Sequence, residues 1–190
     1  MKNGKVIIFS APSGTGKTTI IRKILKKGLP LAFSVSACTR LPRNGETDGE
    51  DYYFLSESEF RNKINEGAFI EWEEVYEGNL YGTFCSEPER IWKSDKHIIF
   101  DVDVKGGLKL KEAFGEKALS ILIMPPSLEV LRERLESRST DSPEVIQKRL
   151  DKAAFELSFS EGFDTVLIND RLDEAVNKAY SMLKKFLNLT

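Results

Sequence analysis

A β-branched run, Val6 to Ser10, stops at Ala11-Pro12-Ser13-Gly14-Thr15-Gly16-Lys17-Thr18-Thr19, and a helical pattern follows with no linker between. Ile20, Ile21, Ile24 and Leu25 recur at helical spacing from Lys17 to about Lys27, and Gly28 with Pro30 ends the run. Strand, glycine-rich turn, helix is the opening of an α/β unit. The backbone N–H groups of such a turn converge on an anion, and the helix start adds partial positive charge. Lys17 is placed to reach β/γ-phosphates and the Thr18 hydroxyl to ligate Mg²⁺. The pattern G-x-x-x-x-G-K-[ST] departs at its first position, where Ala11 stands. A negative φ at residue 11 makes that tolerable, since Gly14 and Gly16 keep the freedom the turn needs. The loop therefore predicts a nucleoside triphosphate site.

The remaining chain alternates apolar strand-like runs with helical segments. Expected strands are 97–103, 119–124 and 164–168; expected helices are 105–113, 127–138, 143–159 (Ser142 as N-cap, Pro143 at N1) and 171–187. Apolar runs separated by helices indicate a parallel sheet covered on both faces. Residues 33–83 differ, with short strands at 33–37, 52–55 and 69–75 among polar turns. There Ser56-x-x-Glu59 is a capping box for a helix closed by Gly67. A second such signal, Ser86-x-x-Glu89, starts a helix leading to Lys93. The expected fold is α/β: a phosphate-loop three-layer α/β/α core (about 1–32, 84–126, 160–190), a small α+β insert (about 33–83) and a helical lid (about 127–159).

Asp101 closes the run Ile98-Ile-Phe-Asp, which would bring an acid beside the phosphates and Mg²⁺. Asp103 lies two residues on and shares its side if the strand continues. Arg134 and Arg138 are four apart on one helix face, and Arg149 lies on the next helix. Such guanidiniums could neutralise a transferring phosphoryl group.

Charge and composition exclude other classes. Lys+Arg number 28 against 30 Asp+Glu, a net charge of −2, where a nucleic-acid-coating protein carries a basic surplus. His97 is the single histidine, which excludes a His-rich zinc site. Cys38 and Cys85 form no CxxC pair and read as reduced thiols. No apolar run approaches the length of a membrane span, and the N-terminal apolar run is short for a signal peptide. A cytoplasmic protein with small-molecule partners, no nucleic acid and no membrane is expected.

The stretch 34–52, SVSACTRLPRNGETDGEDY, closely resembles the monophosphate-binding region of guanylate kinases. Phe69-Ile-Glu71-Trp72, Asn79-Leu-Tyr81-Gly-Thr83, Asp101-Val-Asp103, Arg134 with Arg138, and Ile168-Asn169-Asp170 are similar to the same family, in order over nearly the whole chain. The resemblance implies transfer from Mg²⁺·ATP to GMP. Arg40, Arg43, Tyr52 and Tyr81 would cradle the GMP phosphate, two guanidinium forks and hydroxyls suiting a dianion. Glu71 would accept from guanine N1–H and the 2-amino group, which adenine cannot offer in that arrangement. Ser36 and Thr83 would contact the base. Asp101 would orient GMP or the Mg²⁺ shell, with Asp103 second, either of them through water. Asn169 and Asp170 would lie on the adenine side, and Lys17, Arg134, Arg138 and Arg149 would serve the transfer. Phe84, Lys105 and Arg171 depart from the family pattern, Phe84 nearest the base. Rival readings are a kinase for another monophosphate or a phosphorylated sugar, which would not need Glu71, Ser36 and Thr83, and a phosphopeptide-binding module, whose phosphate loop is typically degraded.

Overall fold

The computed structural model describes residues 4–76, 78–137 and 142–189. Arg138 lies outside them. Strands β1 (Val6–Ser10), β2 (Leu31–Phe33), β7 (His97–Val102), β8 (Ala118–Met124) and β9 (Thr165–Ile168) form an all-parallel sheet in the order β2-β7-β1-β8-β9. Every residue of β1 is buried, because β7 and β8 flank it and helices cover both faces. Ile7 and Phe9 point to one face, with α1 (Lys17–Leu25) and α7 (Leu172–Leu187); Val6 and Ile8 point to the other, with α3 (Ser86–Trp92) and α4 (Val104–Phe114). The sheet order turns at β1, where α/β sheets place their ligands.

A second sheet, ordered β4-β3-β6-β5, is built from β3 (Ser36–Cys38), β4 (Tyr52–Phe54), β5 (Phe69–Tyr76) and β6 (Asn79–Phe84). Helix α2 (Glu57–Asn65) begins with the expected capping box, in which Ser56 and Glu59 bond reciprocally. Its Phe60 stacks on Phe69, which stacks on Phe84, at 4.5 and 4.7 Å between centroids. Two local expectations fail. The single strand 33–37 is two strands in different sheets: Ser34 still donates its N–H to the Ile99 carbonyl of β7, whereas Val35 donates its N–H to the buried Glu87 carboxylate, which the Ser34 hydroxyl also reaches. Helix α3 has Cys85, not Ser86, as its cap residue and no side-chain cap.

The arginine-bearing segment is a pair of helices, α5 (Leu128–Glu136) and α6 (Pro143–Leu157), closed by Leu131, Leu135, Ile146, Leu150 and Ala153. Ser127 caps α5 through the Val130 N–H, and Pro143 opens α6.

Candidate active site

The phosphate loop lies at the C-terminal end of β1. Gly14 and Gly16 have φ of 96° and 91°, as the turn requires. A Cβ on Gly16 would stand 2.6 Å from Asn169 Nδ2, the amide that donates to the Thr15 carbonyl and braces the loop. Among the described residues only Asp95 and Asn188 combine a positive φ with a side chain, so Ala11 has ordinary backbone. Helix α1 starts at Gly16 with no capping side chain and no acid in its first turn. Its first N–H groups are left for an anion.

β7 runs beside β1 with Phe9 opposite Asp101, which brings that carboxylate to the loop. One Asp101 oxygen lies 2.7 Å from the Lys17 ammonium, and the other accepts from the Thr18 hydroxyl at 3.1 Å. Lys17 also donates to the Val102 carbonyl. Asp103 does not continue the strand. It is the N-cap of α4, its Oδ1 accepting from the Gly106 N–H at 2.8 Å. Magnesium takes few protein ligands and completes its shell with water and phosphate oxygens. Thr18 and Asp101 provide such a pair of hard oxygens at the loop, and no group of three or more His, Cys, Asp or Glu among the described residues forms a separate cage.

A cleft runs from residues 11–19 past Asp101 and Asp103 to Ser36, Arg43, Tyr52, Glu71 and Tyr81. Arg149 closes it from α6. At its far end Glu71 is buried and accepts from the buried Thr83 hydroxyl at 2.6 Å. Burial pushes the Glu71 carboxyl up to about 7, against the opposing pull of that hydrogen bond and of Lys109. Phe84 turns away from this pair and packs on Phe69 and Tyr53 in the insert core. Lys105 is exposed on α4, and Arg171 pairs with Glu174 on the surface.

Arg40 is held by a residue to which the sequence reading assigned no role. Glu46 takes Nη1 at 2.6 Å and Nη2 at 2.7 Å, and Nη1 donates again to the Leu41 carbonyl. Three of the five guanidinium donors are thus spent, leaving Nε and one Nη2 hydrogen along one edge. The Arg40 guanidinium lies 4.7 Å from the Tyr52 ring centre, and the Tyr52 and Tyr81 rings meet edge to face with centroids 6.1 Å apart. The Arg40 bond holds the Glu46 carboxyl down at about 2, and burial pushes the Tyr52 phenol up to about 12. Arg43 donates its backbone N–H to Glu46, and its side chain lines the cleft.

Arg134 is not brought to the Lys17–Arg149 cleft. It lines an adjoining pocket with Asn169 and Asp170 behind the loop, and donates to their carbonyls at 2.9 and 3.2 Å. Arg134 Nη1 and Asn169 Oδ1 are buried there without hydrogen-bond partners, an unmet donor and an unmet acceptor in one pocket. Such a pair suits the edge of a heterocyclic base. Glu73, Lys152 and Glu156 also line the main cleft and escaped the sequence reading. Arg149, Lys152 and Glu156 fall on one helical face, a spacing that could have revealed the last two.

The family model for guanylate kinase matches residues 3–186. A guanylate kinase of Bacteroides fragilis is 50% identical over 97% of this chain and 91% of its own. One from Chlorobium chlorochromatii is 47% identical over 97% of each chain. The crystal structure of guanylate kinase from Anaplasma phagocytophilum superposes with a TM-score of 0.78 at 33% identity, covering 97% of this chain and 86% of that one. A gluconokinase from Sinorhizobium meliloti, at 16% identity and a TM-score of 0.53, shares the fold alone. Phosphate loop, buried carboxylate and arginine cradle thus stand in a chain whose relatives match it almost end to end, and the chain belongs to the guanylate kinase family.

Proposed function

We propose that this enzyme transfers the γ-phosphoryl group of ATP to GMP, giving ADP and GDP. The observation that carries the reading is the single cleft joining a triphosphate loop to the Glu71–Thr83 pair and the arginine-tyrosine wall. A GMP phosphate oxygen bonds to the γ-phosphorus while the bond to the β–γ bridging oxygen breaks, and that electron pair leaves with ADP. No covalent intermediate is needed, so the protein's part is positioning and charge neutralisation. Residues 11–19 hold the donor phosphates, with Lys17 on the β/γ oxygens. Arg40, Arg43, Tyr52 and Tyr81 hold the acceptor phosphate, while Ser36, Glu71 and Thr83 read guanine. Arg149 approaches the transferred group from the lid, and Arg138 is proposed to share that role. Arg134 joins them by exchanging the Asn169 and Asp170 carbonyls for phosphate oxygens.

Mg²⁺, held by Thr18 and the Asp101 carboxylate, would neutralise the donor oxygens. Asp103, fixed as the cap of α4, serves the acceptor end. The insert 33–83 and lid 127–159 act as the acceptor arm and the closing arm on one core. No helix among the described residues is long and apolar enough to cross a membrane, and ATP and GMP are the proposed partners, in the cytoplasm.

The test is a coupled assay offering each common nucleoside monophosphate with Mg²⁺ and ATP. GMP should be turned over far faster than AMP, CMP or UMP. Folded protein that leaves GMP unconverted overturns the reading.

A further inference from the structure

The cleft has two walls from distant parts of the chain. β5 presents Glu71, Glu73 and Val75 at every second position, and α6 presents Arg149, Lys152 and Glu156. Val75 falls at a register shift. Glu74 pairs with Leu80 and Tyr76 with Asn79, so Val75 has no opposite residue in β6. Its carbonyl accepts a hydrogen bond from the Lys152 ammonium, 77 residues away in sequence. One turn further along α6, the Glu156 carboxylate lies 3.7 Å from the same ammonium with its side chain only 8% exposed. Lys152 is thus gripped from both sides of the cleft, and its stem reaches across it.

We propose that Lys152 is a positioning residue that fastens the Arg149-bearing helix to the guanine-side strand, so that the donor and acceptor walls move together. The proposal rests on the reading that this cleft holds both nucleotides. Lys152 is three residues from Arg149 on one helix, and Val75 is four from Glu71 on one strand. A bond between Lys152 and Val75 therefore sets the distance between the group that neutralises the transferred phosphoryl and the group that orients the acceptor. Transfer is sensitive to errors of about 1 Å in that distance. Lysine suits the task because its ammonium satisfies a carbonyl and a carboxylate together.

The test compares Lys152→Met and Lys152→Arg with the parent protein. Spin labels at Glu57→Cys on α2 and Glu144→Cys on α6, both exposed, in a Cys85→Ser background, report the separation of the two walls without nucleotide. Lys152→Met should broaden that distance distribution to longer values and lower kcat about tenfold, the size expected from losing one charge-assisted hydrogen bond. Its KM for GMP should stay within about threefold, because Lys152 does not hold the GMP phosphate or base. Lys152→Arg, which can still bridge both acceptors, should restore most of kcat and the narrow distribution. An unchanged distribution in Lys152→Met, or a Lys152→Arg variant as slow as Lys152→Met, overturns the proposal. The distance measurement needs no turnover, so failure of the guanylate kinase reading shows separately, as a parent protein that leaves GMP unconverted.

Discussion

Thr83 donates to Glu71 across 2.6 Å in a site where both side chains are buried, so the carboxylate sits in the cleft with one oxygen committed to the insert and the other toward α4.

Burial raises this carboxyl from 4.5 to about 7, and with Glu71 in its proposed guanine-reading role GMP binding should depend on pH with a definite sign. Guanine offers two donors and needs the ionised form. Affinity for GMP should rise with pH through about 7 and level off above it, while the stability of the nucleotide-free protein falls between about 4.5 and 7 because the folded state holds the extra proton. Calorimetric titration with GMP from acid to mildly alkaline buffer checks this. The GMP phosphate itself titrates near pH ~6, so the diagnostic quantity is the difference from Glu71→Gln. That variant should bind GMP at least about tenfold more weakly with the Glu71 component of the slope gone.

Gly106 makes room for the same carboxylate. A Cβ there would stand 2.9 Å from both Glu71 Oε2 and the Asp103 oxygen that caps α4. Glu71 ends a flexible side chain and gives way more easily than backbone. Gly106→Ala should therefore raise KM for GMP by about tenfold, an order-of-magnitude figure for one misplaced polar contact. KM for ATP should hold. A variant with unchanged KM for GMP would show that Glu71 has slack in this direction.

Removing the phosphate-loop ammonium should act on rate more than on fold. Lys17 lies on Asp101 and the Val102 carbonyl at the edge of the core. Lys17→Met should cut kcat by at least about a hundredfold with a melting temperature within a few degrees of the parent. Single-turnover kinetics and thermal unfolding on one preparation separate the two effects.

Glu46 spends the end-on donors of Arg40 and so leaves its other edge for a phosphate. Glu46→Gln replaces a two-oxygen acceptor by one oxygen and an amide that opposes the guanidinium. KM for GMP should rise about tenfold with kcat much less affected. Binding of guanosine, which lacks the phosphate, should be unchanged. Equal losses for GMP and guanosine would place the effect in the fold of the insert.

The core was readable because its signals are local. Val6 to Ser10 is an apolar run between turns, and the glycines at 14 and 16 permit the left-handed backbone that the loop uses, so strand, loop and helix follow from adjacent residues. The parallel sheet followed from apolar runs alternating with helices. The sequence reading was weakest where the chain changes sheet. Phe33 and Ser36 lie three residues apart in different sheets, and between them the Val35 N–H turns to Glu87, over fifty residues away, which the Ser34 hydroxyl also reaches. The same limit hid Glu46 and Lys152, whose significance lies in the Arg40 side chain and the Val75 carbonyl that they meet, and Glu156, which meets Lys152. Asp103 shows the reverse case. Its motif was visible, but whether it prolonged β7 or capped α4 depended on Gly106 three residues on.

Asp101 contacts both Lys17 and Thr18. The loop thus carries its own counter-anion, and a phosphate group that is to meet Lys17 competes with that carboxylate. A singly charged anion gains too little from that exchange, whereas a polyphosphate arriving with its cation compensates Asp101 and the loop at once. The internal competitor would therefore favour a polyphosphate over a common monovalent anion at this loop.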